Sequence, residues 1–402
     1  MYTRQRTAIY LLLFGSLLPT IYASGPYRGI SYLAGGGSVA ISAALFISLS
    51  RNSIAVISTA TRNNKLLVFF FFVFVLGSFA SSFVSPHMSL PDVFWPVSYF
   101  GVGISTSIVI SSIITYKNAH YIYFESLCLT GVLLSIVGIV IFITGETSFI
   151  GMNIRQVRFS SLYKGYVNSS IIRNANDFGS TLLVCFGSAI MVAKVGGKYY
   201  KYLGYTSALL IAVGVVTSGS RGALGGLVLI VAVYLTAISV GFWSYIWTIT
   251  GVGTLYLLTD IFATESVLSA RSLGVSKRAI IWPEAVRIAL DNPLGLGYSF
   301  SSYLHEIFAH NIGLFISTHN TFLDMLVKGG ILLIVSYATV LAVTFYRLYS
   351  EKEMVLTANL LMSMLVGLLF VQLFSVYTPG GLTFPSLNLC LILGLSNMLS
   401  LY

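Results

Sequence analysis

The chain has 402 residues, of which 56% are hydrophobic and only 8% charged, with a formal net charge of +10. A soluble domain carries about 25% charged residues. This composition therefore excludes an ordinary soluble enzyme, and apolar runs of about 20 residues along the whole length specify an all-α polytopic membrane protein, a single integral-membrane domain over 1–402. The positive balance reports loop charge and topology rather than affinity for nucleic acid.

The first apolar run, 7–24, follows Arg4 and Arg6 and reads as a first span that serves as its own insertion signal. Twelve spans are expected, at 7–24, 31–50, 66–84, 93–116, 122–144, 177–195, 202–218, 223–243, 245–262, 325–347, 355–377 and 382–400. With the N-terminus cytoplasmic, Arg4, Arg6, Arg51, Arg62, Lys65, Lys117, Lys194, Lys198, Lys201, Arg347 and Lys352 fall inside, mostly in short loops, where charge sets orientation. Arg28, Arg155, Arg158, Lys164, Arg173, Arg221, Arg271, Lys277, Arg278 and Arg287 fall outside. Most of these lie in two long loops, 145–176 and 263–324, and long segments translocate largely regardless of charge. The reverse orientation would expose Lys194, Lys198 and Lys201 in a very short outer loop. Both termini are therefore expected in the cytoplasm.

Basic residues concentrated on the outer face call for an anionic partner. The first long loop carries Arg155 and Arg158 and ends at Asn174-Ala175-Asn176-Asp177, where Asp177 is expected to cap the next span. Ser220-Arg221-Gly222 then places an arginine in a short turn between apolar spans. That is costly without an anionic partner. Arg221 either snorkels to lipid phosphates or holds an anionic ligand among small neighbours.

In the second long loop Ile281, Trp282, Ala285, Ile288 and Ala289 recur at helical spacing, so 277–290 reads as an amphipathic helix on the membrane surface. Arg278 at its start either meets anionic headgroups or offers a bidentate fork to a phosphate. Asp291-Asn292-Pro293-Leu294-Gly295-Leu296-Gly297 breaks the helix. The two glycines follow no strand and lack a third, so this is no nucleotide loop.

His319, followed by Asn320, stands at the start of the tenth span. Histidine exchanges a proton near neutral pH, as a general base must; it also serves simply as an interfacial hydrogen-bonder. His305 and His310 share the loop, but their spacing fits no tight zinc pattern and no cysteine or carboxylate pair completes a site, so no metal is expected. Cys128, Cys185 and Cys390 fall in apolar runs, as small buried hydrophobes do. Gly329-Gly330 is expected to permit close helix packing. Loop aromatics such as Tyr163, Tyr166, Tyr298 and Tyr303 fit an interfacial belt better than a sugar-stacking role.

Five features occur in order: an Arg followed by Asn174-Ala175-Asn176 before a middle span, Ser220-Arg221-Gly222, Arg278-x-x-x-Trp282, Asn292-Pro293-x-Gly295-x-Gly297, and His319-Asn320-x-x-Leu323. Together, over about 150–345, they resemble the bacterial O-antigen ligase and polysaccharide polymerase superfamily. The chain has Asn-Ala-Asn where that family commonly has Asn-Pro-Asn. The resemblance implies a GT-C-like membrane glycosyltransferase at the periplasmic face of the inner membrane. It needs no cofactor, and its donor is an undecaprenyl-diphosphate-linked glycan. By motif position it implies that His319 activates the acceptor and that Arg221, Arg278 and Arg158 bind the diphosphate, with Arg155, Asn320 and Trp282 in support. Implied partners are a glycan or lipid A core acceptor, membrane lipids and a chain-length regulator.

Two readings share this chemistry. A polymerase joins lipid-linked repeat units; a ligase moves the finished glycan to the lipid A core. A transporter or flippase for the same lipid would instead carry charges at mid-span, facing a cavity. Spans 66–84, 223–243 and 382–400 carry none, which disfavours transport.

Overall fold

The computed structural model describes residues 2–21, 28–48, 53–84, 90–116, 120–144, 148–149, 152–153, 157–158, 166–167, 172, 174–239, 275–297, 318–351, 355–379 and 381–398. The first helices are α1 (Tyr2–Ile21), α2 (Arg28–Ser48), α3 (Ser53–Asn63), α4 (Lys65–Val84) and α5 (Leu90–Ile104). A π-helical stretch, Ser105–Ile110, joins α5 to α6 (Ser111–Tyr116), and α7 (His120–Thr144) follows. Next come α8 (Ala175–Val195), α9 (Lys198–Ser218), α10 (Arg221–Ser239), α11 (Val275–Asp291), α12 (Thr321–Ser350), α13 (Val355–Gln372) and α14 (Phe384–Met398).

Among the described residues five helices are long and apolar enough to cross a membrane: Val97–Thr115, His120–Thr144, Ala175–Val195, Lys198–Ser218 and Thr321–Ser350. Ile54–Arg62 and Lys65–Gly77, which meet at 81°, make a sixth if taken as one broken span. Shorter apolar helices stand at Tyr32–Leu45, Arg221–Thr236, Leu356–Gln372 and Phe384–Met398. The molecule is thus an all-helical polytopic membrane protein. The expected span 245–262 lies outside the described residues. The loop between α7 and α8 adds two small antiparallel hairpins that its sequence did not suggest. They are β1 (Ser148–Phe149) with β2 (Met152–Asn153), and β3 (Val157–Arg158) with β4 (Tyr166–Val167).

The core is built around α14 and α8. Every residue of α14 from Phe384 to Met398 is buried. It lies against the π-helical stretch, where a side chain at Gly394 would collide with the Ser107 carbonyl. The wider turn there is sealed by Ser111, whose Oγ donates to the Thr106 carbonyl at 2.7 Å. Tyr123 ties α7 to α14, donating to Asn388 Oδ1 at 2.6 Å with both groups buried. In an apolar surrounding these polar groups must find one another, because no water is there to satisfy them.

Helix direction sorts the bundle into two ends. At one, Arg6 on α1 pairs with Glu125 on α7 (3.4 Å). There too Lys194 at the end of α8 faces the Tyr205 and Tyr234 rings. Arg347 near the end of α12 binds Asn64 and Asn397. At the other end the starts of α8, α10 and α12 meet the end of α9 and the turn after α13.

Candidate functional site

This second end is assembled from short polar turns. Gly219, left-handed at φ 64°, closes α9. Ser220 then caps α10, its Oγ accepting from the Ala223 amide at 3.3 Å while donating to Asn176 Oδ1 at 2.9 Å. Arg221 follows as the first residue of α10, exposed. The cap of α8 is not Asp177, as the sequence suggested, but Asn174, whose Oδ1 accepts from the Asn176 amide at 2.9 Å. A capping oxygen has to precede the first turn, and Asp177 already lies within it. Asp177 instead accepts from the Tyr377 hydroxyl at 2.7 Å.

Asn320 caps α12, its Oδ1 accepting from the Leu323 amide at 3.0 Å. His319 immediately before it has φ 49°, the one positive φ outside glycine among the described residues. Such a conformation is held only when its surroundings impose it. Here Trp282 Nε1 on α11 donates to the Thr318 carbonyl at 3.1 Å, and Thr318 Oγ1 donates to the Asn320 carbonyl at 3.1 Å. The histidine is thus gripped on both sides.

The amphipathic pattern of α11 is real, but its apolar face does not lie on a membrane surface. Ile281, Ala285, Ile288 and Ala289 pack on Val327 of α12, with Trp282, Leu296 and Leu323 around them. An apolar stripe only demands removal from water, and a neighbouring helix meets that demand as well as lipid does. At the start of α11 the Arg278 guanidinium lies over the Phe374 ring, 5.2 Å from its centroid, and donates to the Phe374 carbonyl at 3.3 Å. The same Phe374 faces Gly222, where an added Cβ would stand 3.3 Å from its side chain. One phenylalanine therefore separates Arg278 from the turn that carries Arg221. Arg287, on the outer face of α11, has its charge answered by Glu284 (2.7 Å) and Asp291 (3.0 Å).

The Asn-Pro-x-Gly-x-Gly segment locks α11 to α12. Gly330 interrupts α12 with φ 70° and ψ −171°, and the segment fits into the gap. The Ile331 amide donates to the Pro293 carbonyl (2.9 Å), and the Leu296 and Gly297 amides donate to the Val327 and Lys328 carbonyls (both 2.8 Å). A Cβ at Gly330 would stand 2.4 Å from the Leu294 carbonyl carbon, and one at Gly295 would stand 2.5 Å from the Gly330 nitrogen. The close packing expected of Gly329-Gly330 is therefore made chiefly with a loop. Beside the break, Lys328 pairs with Asp324 at 2.9 Å, both buried.

The partners that tie these turns together are not legible in the residue pattern. The expected span 355–377 stops as a helix at Gln372, and the turn that follows reaches back. Thr321 Oγ1 donates to the Ser375 carbonyl (2.7 Å) and accepts from the Tyr377 amide (2.8 Å). Gln372 Nε2 donates to the Tyr377 carbonyl (2.6 Å), and Tyr337 donates to Gln372 Oε1 (3.0 Å). Tyr377 thus connects the start of α12 to Asp177 of α8, and through Asn176 and Ser220 to the Arg221 turn. The only hint was Pro379-Gly380-Gly381, which ends a helix but does not say what the turn touches.

Arg158 stands in β3 opposite Tyr166. Arg155, His305 and His310 lie outside the described residues.

Residues 206–338 match a family model described as O-Antigen ligase. The matched stretch contains Arg221, Arg278, Trp282, His319, Asn320 and the 292–297 break, and begins after Arg155 and Arg158. It is narrower than the 150–345 of the sequence resemblance. No curated protein and no solved structure matches the chain. Over residues 206–338 the chain is similar to the O-antigen ligase family, and that stretch contributes the starts of α10 and α12 and the whole of α11 to this end of the bundle.

Proposed function

We propose that the protein is a membrane glycosyltransferase that polymerises undecaprenyl-diphosphate-linked repeat units into O-antigen or exopolysaccharide. The observation that carries this reading is the convergence, within the matched domain, of the Arg221 turn, the Arg278 helix and the constrained His319. The family implies glycosyl transfer in polysaccharide synthesis and a lipid-linked glycan as substrate.

In this reading the acceptor hydroxyl gives its proton to His319 as its oxygen attacks the anomeric carbon of the donor. A new C–O bond forms while the C–O bond to the diphosphate breaks, and the electron pair departs with undecaprenyl diphosphate. Attack from the face opposite the leaving group inverts the anomeric configuration. Arg221 and Arg278, with Arg158 from the earlier loop, stabilise the charge that grows on the diphosphate, where a preorganised donor lowers a barrier most. Arg278 suits this task, since its contacts with the Phe374 ring and carbonyl hold its guanidinium in place. Trp282 and Asn320 position the histidine turn, and Arg155 adds positive charge. No metal or other cofactor takes part. The site faces the periplasm, both termini are cytoplasmic, and twelve spans carry the chain across the membrane.

The description of the matched family favours a second reading, transfer of the finished glycan to the lipid A core. A deletion strain separates the two on a lipopolysaccharide gel. Single repeats on the core indicate a lost polymerase; bare core with accumulated lipid-linked polymer indicates a lost ligase. Unchanged lipopolysaccharide redirects the search to another exported polysaccharide. Transfer activity that is lost with chelator and restored by a divalent ion would overturn the metal-independent mechanism.

A further inference from the structure

The end of the bundle away from His319 carries a groove that this reading leaves unused. It forms where α3 meets α4 at 81°. The corner residue, Asn64, is 2% exposed, and its side chain is engaged on both sides. Its Nδ2 donates to the Ala60 carbonyl at 2.9 Å, and its Oδ1 accepts from Arg347 at 3.1 Å. Arg347 also donates to Asn397 Oδ1 at 3.0 Å, and Asn397 Nδ2 donates to Thr344 Oγ1 at 2.9 Å. The bend is therefore fixed from within the core. With α4 running along the bundle, α3 must run across it, as a helix at a membrane interface does. It buries Val56 and Ala60, four residues apart, and exposes Ser58 and Arg62.

The groove in this angle has a volume of about 650 Å³, and Ser58, Arg62, Lys65, Phe69, Phe72 and Phe100 are among its lining residues. Its two cations stand at the corner. Phe69 and Phe72 follow Lys65 at helical spacing down one face of α4, exposed by 55% and 51%. Among the described residues no carboxylate pairs with Arg62 or Lys65. Positive charge at the interface above an apolar aromatic track is the complement of a lipid with an anionic phosphate and an acyl chain.

We propose that this groove binds an anionic glycerophospholipid of the surrounding leaflet, its phosphate on Arg62 and Lys65 and an acyl chain along Phe69, Phe72 and Phe100. A bilayer phospholipid fits better than the polyprenyl carrier for two reasons. The groove is lined by α3, α4 and α5 and by no residue of the His319 end, and its cationic corner lies at the Arg347 end of α12, roughly 40 Å of chain from the Asn320 cap.

The test uses the purified full-length protein in detergent, titrated with phosphatidylglycerol, phosphatidylcholine or undecaprenyl phosphate and read by native mass spectrometry. Phosphatidylglycerol is expected to bind most tightly. Arg62→Gln combined with Lys65→Gln should weaken it by roughly 30-fold, the effect of two cations at an anionic surface. Lys198→Gln combined with Lys201→Gln, an exposed pair at the same end, should leave it unchanged. Three outcomes would overturn the proposal: unchanged binding in the first double variant, an equal loss in the second, or tighter binding of undecaprenyl phosphate that the first double variant abolishes.

Discussion

Arg278 and Phe374 lie 96 residues apart, yet the guanidinium of one covers the ring of the other and donates to its carbonyl at 3.3 Å. The ring contact and the hydrogen bond together hold the head of Arg278 beside the turn after α13. Arg278→Lys keeps the charge but loses the planar fork. Glycan transfer measured in membranes should fall by roughly 10² or more, as when one preorganised donor is removed. Phe374→Leu should cost less, about 0.5–2 kcal/mol in transition-state stabilisation, the range of a cation–π contact. Wild-type rates in both would sink the diphosphate role of Arg278.

His319 presents two separable properties, its imidazole and its left-handed backbone. His319→Asn keeps a residue that tolerates φ near 49° and removes the imidazole. Transfer should drop by roughly 10²–10⁴ with insertion and unfolding temperature unchanged. A variant retaining full activity would show that His319 is no general base.

Gly330 tests the lock between α11 and α12. A methyl group there meets the Leu294 carbonyl carbon at 2.4 Å and must also adopt φ 70°. With ψ −171° this is a conformation that essentially only glycine adopts, and it alone costs about 1–3 kcal/mol, so Gly330→Ala should lower the unfolding temperature and the transfer rate together. Gly37→Ala is the control, because nothing lies within 4 Å of its added Cβ and alanine favours a helix. Equal unfolding temperatures for the two variants would show that the inserted segment does not depend on Gly330.

The Tyr377–Asp177 bond joins the two halves of the site. Tyr377→Phe leaves a half-buried carboxylate oxygen without its donor and should cost about 0.5–1.5 kcal/mol of stability. If the two side chains act as a pair, Tyr377→Phe combined with Asp177→Asn should cost less than the sum of the single changes. Strict additivity in thermal or denaturant unfolding would refute the coupling.

Asp324 and Lys328 form an ion pair one turn apart inside α12, with side chains only 3% and 11% exposed. Removing one partner strands a buried charge. Asp324→Asn should therefore destabilise by about 3–5 kcal/mol, and Asp324→Asn combined with Lys328→Met should recover much of the loss. Failure of the second change to restore the unfolding temperature would mean that Lys328 is held by something other than Asp324.

The sequence by itself determined the membrane class, because long apolar runs report directly on the solvent around a helix. It also placed Ser220-Arg221-Gly222, the 292–297 break and His319-Asn320 at helix ends, since caps, glycines and prolines act over a few residues. The match over 206–338 agrees with the motif order that pointed to the family. What only the tertiary structure decided was the partners of those ends. The apolar stripe of α11 demanded burial but could not choose between lipid and α12; Val327 and Trp282 made the choice through packing. Asp177 read as a cap because its type suits one, yet Asn174 was better placed, which released the carboxylate for Tyr377. Phe374 and Tyr377 left no trace in the pattern, because a contact across about 100 or 200 residues has no period. It exists only once helices of alternating direction bring their ends into one plane.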